Sequence, residues 1–298
     1  MLVSPNSILG NASVVSHLEG HVRFHKADAL RVVVGTQLSG PPHLGTVLTQ
    51  TIASLIANQL SETFKVSGSL QIGFLDNTTL EEIENTGVIY QRNLWQEKCS
   101  RRLVDELYEQ LISSYNTRVK CEYTVFSELT HGFRHKTIQV LDSQDTIIPF
   151  LGKPTIRIPC PHCGLMDKKG VYTRYLGDGY VESVCPEHGE YQASLHESVF
   201  DINVLWRNLI KELALPPEDI IIKGTDWLPG CQKVDWAHRV MGSTPPTRLF
   251  LPLVVMGCGA KLSKSFLRQN PDLSGEIPSW LKESHTLSQE VIDFVSNF

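Results

Sequence analysis

Leu30-Arg31-Val32-Val33-Val34-Gly35-Thr36-Gln37-Leu38-Ser39-Gly40-Pro41-Pro42-His43-Leu44-Gly45-Thr46 is the stretch that decides the fold. Leu30 to Gln37 reads as a buried strand, a short apolar run of the kind that a covered sheet requires. Ser39 to Thr46 follows it and opens a helix, Thr46–Leu60, in which Leu48, Ile52, Leu55, Ile56 and Leu60 recur at helical spacing. His43 then stands at a helix N-terminus, where backbone N–H groups and the helix dipole favour anions. Gly45 lets a nucleotide lie close to the backbone.

The same alternation continues outward. Leu70 to Leu75 reads as a second strand that ends at Asp76-Asn77. Thr78-Thr79-Leu80-Glu81 has the capping-box pattern and predicts a short helix. Arg101 to Tyr115 predicts a helix with Leu103, Leu107, Leu111 and Ile112 on one face, and Val119 to Phe126 a third strand. Strand and helix in alternation predict a doubly wound parallel α/β sheet. The strand ends at Gln37 and Asp76 would point at its ligand crevice. Further on, Val204 to Leu213 predicts a helix, broken by Pro216-Pro217. Asp219 to Lys223 predicts a core strand running into Gly224-Thr225-Asp226-Trp227. A helix over about Cys231 to Met241 and a last strand over Leu249 to Met256 follow. Residues 1–29 have no clear period and are expected to pack on the core as an extension.

The pattern breaks between about Phe150 and Glu197. Short β-like runs there (Thr155–Ile158, Gly170–Tyr175, Tyr180–Val184 and Tyr191–Leu195) surround two near copies of one turn, Cys160-Pro161-His162-Cys163-Gly164 and Cys185-Pro186-Glu187-His188-Gly189. Each turn aims two ligand-type side chains at one point, and its glycine relieves the backbone. Two such turns on two hairpins make a zinc ribbon, with Cys160, Cys163, Cys185 and His188 as the Zn2+ ligands. His162 sits between the first two cysteines and is expected to point away. A redox Cys-x-x-Cys pair and unpaired surface thiols are the alternatives; the duplicated turn favours the metal.

Composition bounds the rest. The 298 residues suit one large domain or a domain with an insertion, and 41% apolar residues supply a substantial core. No apolar run approaches the ~20 residues of a membrane span. Met1 to Pro5 lacks the features of a signal peptide. A net charge of −5 excludes a general nucleic-acid-binding surface and leaves room for a local basic patch. Of the seven cysteines, Cys99, Cys121, Cys231 and Cys258 are scattered, which is the usage of a reducing cytoplasm rather than of a disulfide framework.

One more stretch bears on chemistry: Gly259-Ala260-Lys261-Leu262-Ser263-Lys264-Ser265 follows the last strand. Lysines alternating with small hydroxyl residues suit a clamp on phosphate, although a solvated basic loop reads the same way. With His43-Leu44-Gly45-Thr46, this Lys261-Leu262-Ser263-Lys264-Ser265 run resembles the two ATP-binding motifs of class I aminoacyl-tRNA synthetases, His-Ile-Gly-His and Lys-Met-Ser-Lys-Ser, in the same order. Thr46 replaces the second histidine. The resemblance implies a Rossmann-like class I sheet in two halves, 1–149 and 198–298, with the zinc ribbon inserted at 150–197. Gly224-x-Asp226 stands where these synthetases carry Gly-x-Asp; with Gly224-Thr225-Asp226-Trp227 in the place of Gly-Lys-Asp-His and the ribbon between the halves, the chain most resembles class I lysyl-tRNA synthetases.

What the resemblance implies is ATP-dependent amino-acid activation, with Mg2+ as the second cofactor. ATP would meet Ser39, Gly40, His43, Gly45, Thr46, Gly224, Asp226, Lys261, Ser263, Lys264 and Ser265. His43, Lys261 and Lys264 would stabilise the reacting phosphates. The amino acid, a lysine-like one on this resemblance, would meet Thr36, Gln37, Asp76 and Trp227. Asp226 reads equally well as a helix cap, and Asp76 as a solvated turn residue. The acceptor would be a tRNA end or another aminoacyl acceptor. Only 33 residues follow Ser265, with one short amphipathic helix from Leu287 to Val295, so no anticodon reading is expected. Two other classes stay open at this point: a synthetase paralogue that binds nucleotide or RNA without catalysis, and a nucleic-acid-binding ribbon carrying Lys168, Lys169 and Arg174. No membrane partner is expected, and the oligomeric state is unassigned.

Overall fold

The computed structural model describes residues 12–25, 28–42, 44–116 and 119–251. In chain order these form α1 (Ala12–His25), β1 (Ala29–Gln37), α2 (Leu44–Phe64), β2 (Ser67–Leu75), β3 (Thr79–Asn85), β4 (Val88–Asn93), α3 (Ser100–Asn116) and β5 (Lys120–Val125). There follow α4 (Phe126–Asp142), α5 (Gln144–Leu151), β6 (Ile156–Arg157), β7 (Met166–Asp167), β8 (Arg174–Gly177), β9 (Tyr180–Cys185), β10 (Gly189–Ser194) and β11 (Asp201–Ile202). The described chain closes with α6 (Val204–Ala214), β12 (Ile220–Gly224), α7 (Leu228–Val240) and β13 (Thr247–Leu251).

Parallel strands cannot be joined by hairpins, so each pairing of the main sheet carries a crossover. The order is β13-β12-β1-β2-β5, with every neighbouring pair parallel. This is the doubly wound parallel sheet that the alternation predicts. Because side chains alternate along a strand, the sheet has two different faces. Val32, Val34, Leu70, Ile72 and Phe74 pack with α2 and α3 in the main hydrophobic core. The other face carries Arg31, Gly35, Gln71, Gly73, Thr124, Lys223 and Arg248, and α6 lies against it.

Charge pairing closes the β12–β13 side of that second face. Glu212 of α6 is buried and accepts from Lys223 Nζ at 2.9 Å, from Arg248 and from His238 Nε2 at 3.4 Å; Arg248 also reaches Asp235. Burial works to raise the Glu212 pKa. The His238 hydrogen bond and the Lys223 and Arg248 charges outweigh it and bring the carboxyl down to about 2.

Two elements differ from the sequence reading. Thr79 to Asn85 is a strand, not a capped helix. It pairs with β4 across Thr86-Gly87, both at positive φ (49° and 80°), the geometry of a two-residue hairpin turn. β4 in turn pairs with β7 of the ribbon, a long-range partner that overrides the local capping signal. The N-terminal stretch, which lacks a clear period, is helical over Ala12–His25. Leu18 enters the main core, and His21 bridges the Glu218 carbonyl and Thr247 Oγ1.

The ribbon itself is an antiparallel sheet, β10-β9-β8, and it leaves and rejoins the parallel sheet through one short pair, β6 with β11 (Ile156↔Ile202, Arg157↔Asp201). Asp201 is buried there between Arg157 and Arg207, each 2.6 Å away, and also accepts from Asn77 at 3.0 Å. No described helix is long and apolar enough to cross a membrane.

Glu212→Gln is expected to destabilise the fold by about 3 kcal/mol at neutral pH, since Lys223 and Arg248 lose a buried partner. A depressed carboxyl contributes fully above its unfolded pKa, near 4.5, and loses that contribution as pH falls toward 2. Urea unfolding of both proteins at pH 7 and pH 3 checks this: the gap between them narrows at pH 3.

Candidate functional site

Two local turns bring the metal cluster together. Cys160 and Cys163 lie on the turn after β6, Cys185 ends β9, and His188 precedes β10. Their ligand atoms, three sulfurs and one imidazole nitrogen, all lie within 4.8 Å of one another. Cys163 Sγ is 3.4 Å from Cys185 Sγ, and His188 Nδ1 is 3.5 Å from Cys185 Sγ and 3.8 Å from Cys160 Sγ. A tetrahedral zinc with bonds of 2.0–2.3 Å spaces its ligands about 3.5–3.8 Å apart, so the cluster has room for one such ion. His162 lies beside it, its ring 5.0 Å from that of His188, and is not one of the four.

The surroundings fit a closed structural site. Cys160 and Cys185 are buried with Val88, Tyr90 and Leu165, so the β3–β4 hairpin packs against the cluster. Burial works to raise the Cys160 thiol pKa, and the backbone amides of Cys163 and His162 aimed at its sulfur bring the net shift down. Gly164 sits at φ +79°, and a Cβ there would come within 2.4 Å of Gln96 Nε2, which donates to the Gly164 carbonyl at 2.8 Å. Only glycine allows that approach.

The second region is the carboxyl edge of the parallel sheet. Chain connections from β1 run one way, through β2 to β5, while β12 and β13 extend the sheet the other way. The reversal lies between β1 and β12, where such sheets open a crevice. Thr36, Gln37, Ser39 and Gly40 rise from β1, and Gly224, Asp226 and Trp227 from β12. Gln37 Nε2 donates to Asn77 Oδ1 and Thr78 Oγ1 at 3.1 Å, and Thr78 Oγ1 donates to the Leu38 carbonyl. Tyr108 backs this edge: its hydroxyl reaches the Gly40 carbonyl at 3.4 Å, and burial, partly offset by Thr36, pushes its pKa up to about 12. Gly45 and Thr46 form the first turn of α2, with Thr49 Oγ1 on the Gly45 carbonyl at 2.7 Å. Across the crevice, Asp226 and Trp227 are exposed, and Trp227 stands 5.9 Å from Lys223 Nζ.

Asp76 takes a different place from the one expected of it. It is fully buried and accepts from Ser100 Oγ at 2.7 Å, Ser127 Oγ at 2.5 Å and the Ser127 amide at 3.0 Å. It therefore ties the end of β2 to the starts of α3 and α4 instead of facing solvent. His43, Lys261, Ser263, Lys264 and Ser265 lie outside the described residues. The Asn77–Asp201–Arg207 chain behind Gln37 is absent from the sequence reading, because its members are brought together only by the fold.

No protein-family model matches the chain, and no curated protein matches it by sequence. Among solved structures it is similar to a glutamate tRNA ligase from Elizabethkingia meningosepticum in complex with its amino acid, at 15% identity and a TM-score of 0.43, over 81% of this chain and 53% of that one. It is similar to a tyrosyl-tRNA synthetase complexed with L-tyrosine from Archaeoglobus fulgidus, at 13% identity and 0.45, over 83% and 63%. A tryptophanyl-tRNA synthetase from Plasmodium falciparum is similar at 12% and 0.46, over 99% and 80%. The chain thus spans about half the length of the glutamate ligase. At these scores the likenesses decide nothing about substrate, and the fold is read from strand order and register.

Purified protein is expected to carry about one zinc per chain, and Cys160→Ser or Cys185→Ser to lose the metal and melt at lower temperature. Elemental analysis alongside melts with and without chelator checks this. Wild-type protein that lacks zinc and melts identically with chelator would remove the metal from the site.

Proposed function

We propose that this chain activates an amino acid with ATP, forming an aminoacyl adenylate at the crevice between β1 and β12. The observation that supports this best is the strand order, which sets Ser39, Gly40, Gly45 and Thr46 opposite Gly224 and Asp226 at the reversal of the sheet. These residues belong to the stretches that resemble the class I synthetase motifs. An amino-acid carboxylate oxygen attacks the α-phosphorus of ATP. The bond to the oxygen bridging α- and β-phosphates breaks, and pyrophosphate leaves with that electron pair.

No protein nucleophile takes part; positioning and charge stabilisation supply the rate. The α2 N-terminus and His43 hold the phosphates, and Asp226 takes the ribose side. Lys261 and Lys264, with Ser263 and Ser265, offset charge on the departing pyrophosphate, where Mg2+ supplies further neutralisation when bound. Thr36, Gln37 and Trp227 flank the amino acid, while Asp76 keeps the end of β2 in place. Zinc at Cys160, Cys163, Cys185 and His188 is structural. The acceptor of the aminoacyl group is a tRNA end or another nucleophile of that kind; on the ribbon, Lys168 and Arg174 are paired with Glu82 and Glu182. The cysteine usage supports a cytoplasmic setting.

Amino-acid-dependent exchange of pyrophosphate into ATP tests the reading across the twenty amino acids. His43→Ala or Lys264→Ala is expected to lower exchange by about 100-fold, the loss typical of one transition-state donor. Exchange by wild type with none of the amino acids, or at wild-type rates in both variants, would refute it.

A further inference from the structure

The sheet face turned toward α6 has a bare floor. Gly35 and Gly73 are register partners on β1 and β2, side by side on that face. Among the described residues, a Cβ on Gly35 would meet nothing nearer than the Gly73 carbonyl at 3.9 Å, and Gly35 is exposed although its strand is central. A Cβ on Gly73 would meet Lys211 Nζ at 3.7 Å and Thr124 Oγ1 at 4.0 Å. The two glycines therefore leave a trough over peptide backbone, open at Gly35 and bounded at Gly73 by an ammonium and a hydroxyl.

Lys211 differs from the cations around it. Arg207, one turn earlier on α6, is paired with Asp201; Lys223 and Arg248 share Glu212. Among the described residues Lys211 has neither a hydrogen-bond nor an ion-pair partner. The Thr124 hydroxyl and the Gln71 side-chain oxygen, on the same face of the sheet, are also buried without partners. Beside Lys211 and Arg207 lies a cavity of about 10 Å³, lined otherwise by side chains such as Phe126, Thr130 and Phe133, with room for about one water. A half-buried cation without a counter-charge is costly, and an anion brought by a ligand removes that cost. Burial, with Arg207 and Lys223 nearby and Glu212 opposing them, brings its pKa down to about 8, so it is charged at neutral pH and has gained no anion from the protein.

The trough begins at the carboxyl edge. Gly73 lies two residues before the end of β2, about 7 Å inward at strand rise. An amino acid held at that edge by its α-carboxylate and amino group would direct its side chain along the glycine floor toward Lys211. We propose that Lys211, together with Thr124, forms a carboxylate subsite that selects a dicarboxylic amino acid, glutamate by length, as the amino acid to be activated. The inference rests on the activating reading above and supplies its substrate class. Lysine, the amino acid implied by the sequence resemblance, would instead set its ammonium against that of Lys211.

Calorimetric titration of the full chain with L-glutamate, L-aspartate, L-glutamine and L-lysine, without ATP, tests the subsite. Glutamine keeps the α-carboxylate and the length of glutamate, so it separates a side-chain carboxylate from a backbone one. Glutamate is expected to bind at least about 10-fold more tightly than glutamine. Lys211→Met should weaken glutamate about 10- to 100-fold and erase the preference over glutamine, while Lys211→Arg keeps the preference. Undetectable glutamate binding, glutamine or lysine bound as tightly as glutamate, or an unchanged ratio in Lys211→Met would overturn the subsite. Pyrophosphate exchange on the same samples keeps the two readings apart. Glutamate binding without exchange refutes activation and upholds the subsite; exchange with an amino acid other than glutamate or aspartate does the reverse.

Discussion

A parallel strand with neighbours on both sides cannot reach either of them by a turn, and β1 is such a strand. Each neighbour must be entered from the far end after a crossover. The chain therefore meets the carboxyl edge repeatedly and leaves it in both directions. That constraint places Gln37, Ser39 and Gly40 opposite Gly224 and Asp226. It also explains why the long excursion carrying the ribbon lies between β5 and β12: the chain must cross from one edge of the growing sheet to the other side of β1 before it can pair again.

Burial divides the two faces of the sheet unequally. The α2–α3 face is sealed by aliphatic and aromatic side chains, with Phe74 edge-on to Tyr108 at 4.7 Å between ring centroids. Such a face supplies stability through apolar area removed from water. The α6 face is held by charges, and its interaction energies depend on every partner being present. Glu212 meets three donors and Asp201 meets three, so both carboxylates are saturated. The unpartnered Thr124 hydroxyl and Gln71 side-chain oxygen lie on this second face.

Legibility in the sequence followed the range of the interactions. β1, β2 and β12 were readable because a buried parallel strand carries a short, largely apolar run, and the edge strand β5 because its residues alternate. The metal cluster was readable because each half is a single turn. The hairpin over 79–93 was misread: Thr78 to Glu81 satisfies a capping pattern, whereas β3 pairs with β4, and β4 with β7 far along the chain. The Asn85-Thr86-Gly87 turn was the local signal that could have corrected it. Asp76 looked like a solvated strand-end acid, since nothing in the sequence announces Ser100 and Ser127 as its partners. Nothing in the sequence singles out Lys211; its setting becomes visible only when Gly35 and Gly73 fall into register beneath it.

The two-residue pairing of β6 with β11 has a consequence for how this chain tolerates change. Ile156 and Ile202 face each other across one rung, so the ends of everything between them are held about 5 Å apart. The ribbon is then a closed loop whose chain ends meet at this rung, while its β7 strand and metal cluster rest on the β3–β4 hairpin. The entropy of closing such a loop grows only logarithmically, by about 0.6 kcal/mol for each doubling of its length. Insertions and deletions in the turns beyond that rung therefore cost the parent sheet little, provided that the Arg157–Asp201–Arg207 contacts at the neck and the β4–β7 pairing stay intact. Outside those contacts the segment is free to diverge in size and surface while the crevice on the other side of the neck keeps its geometry.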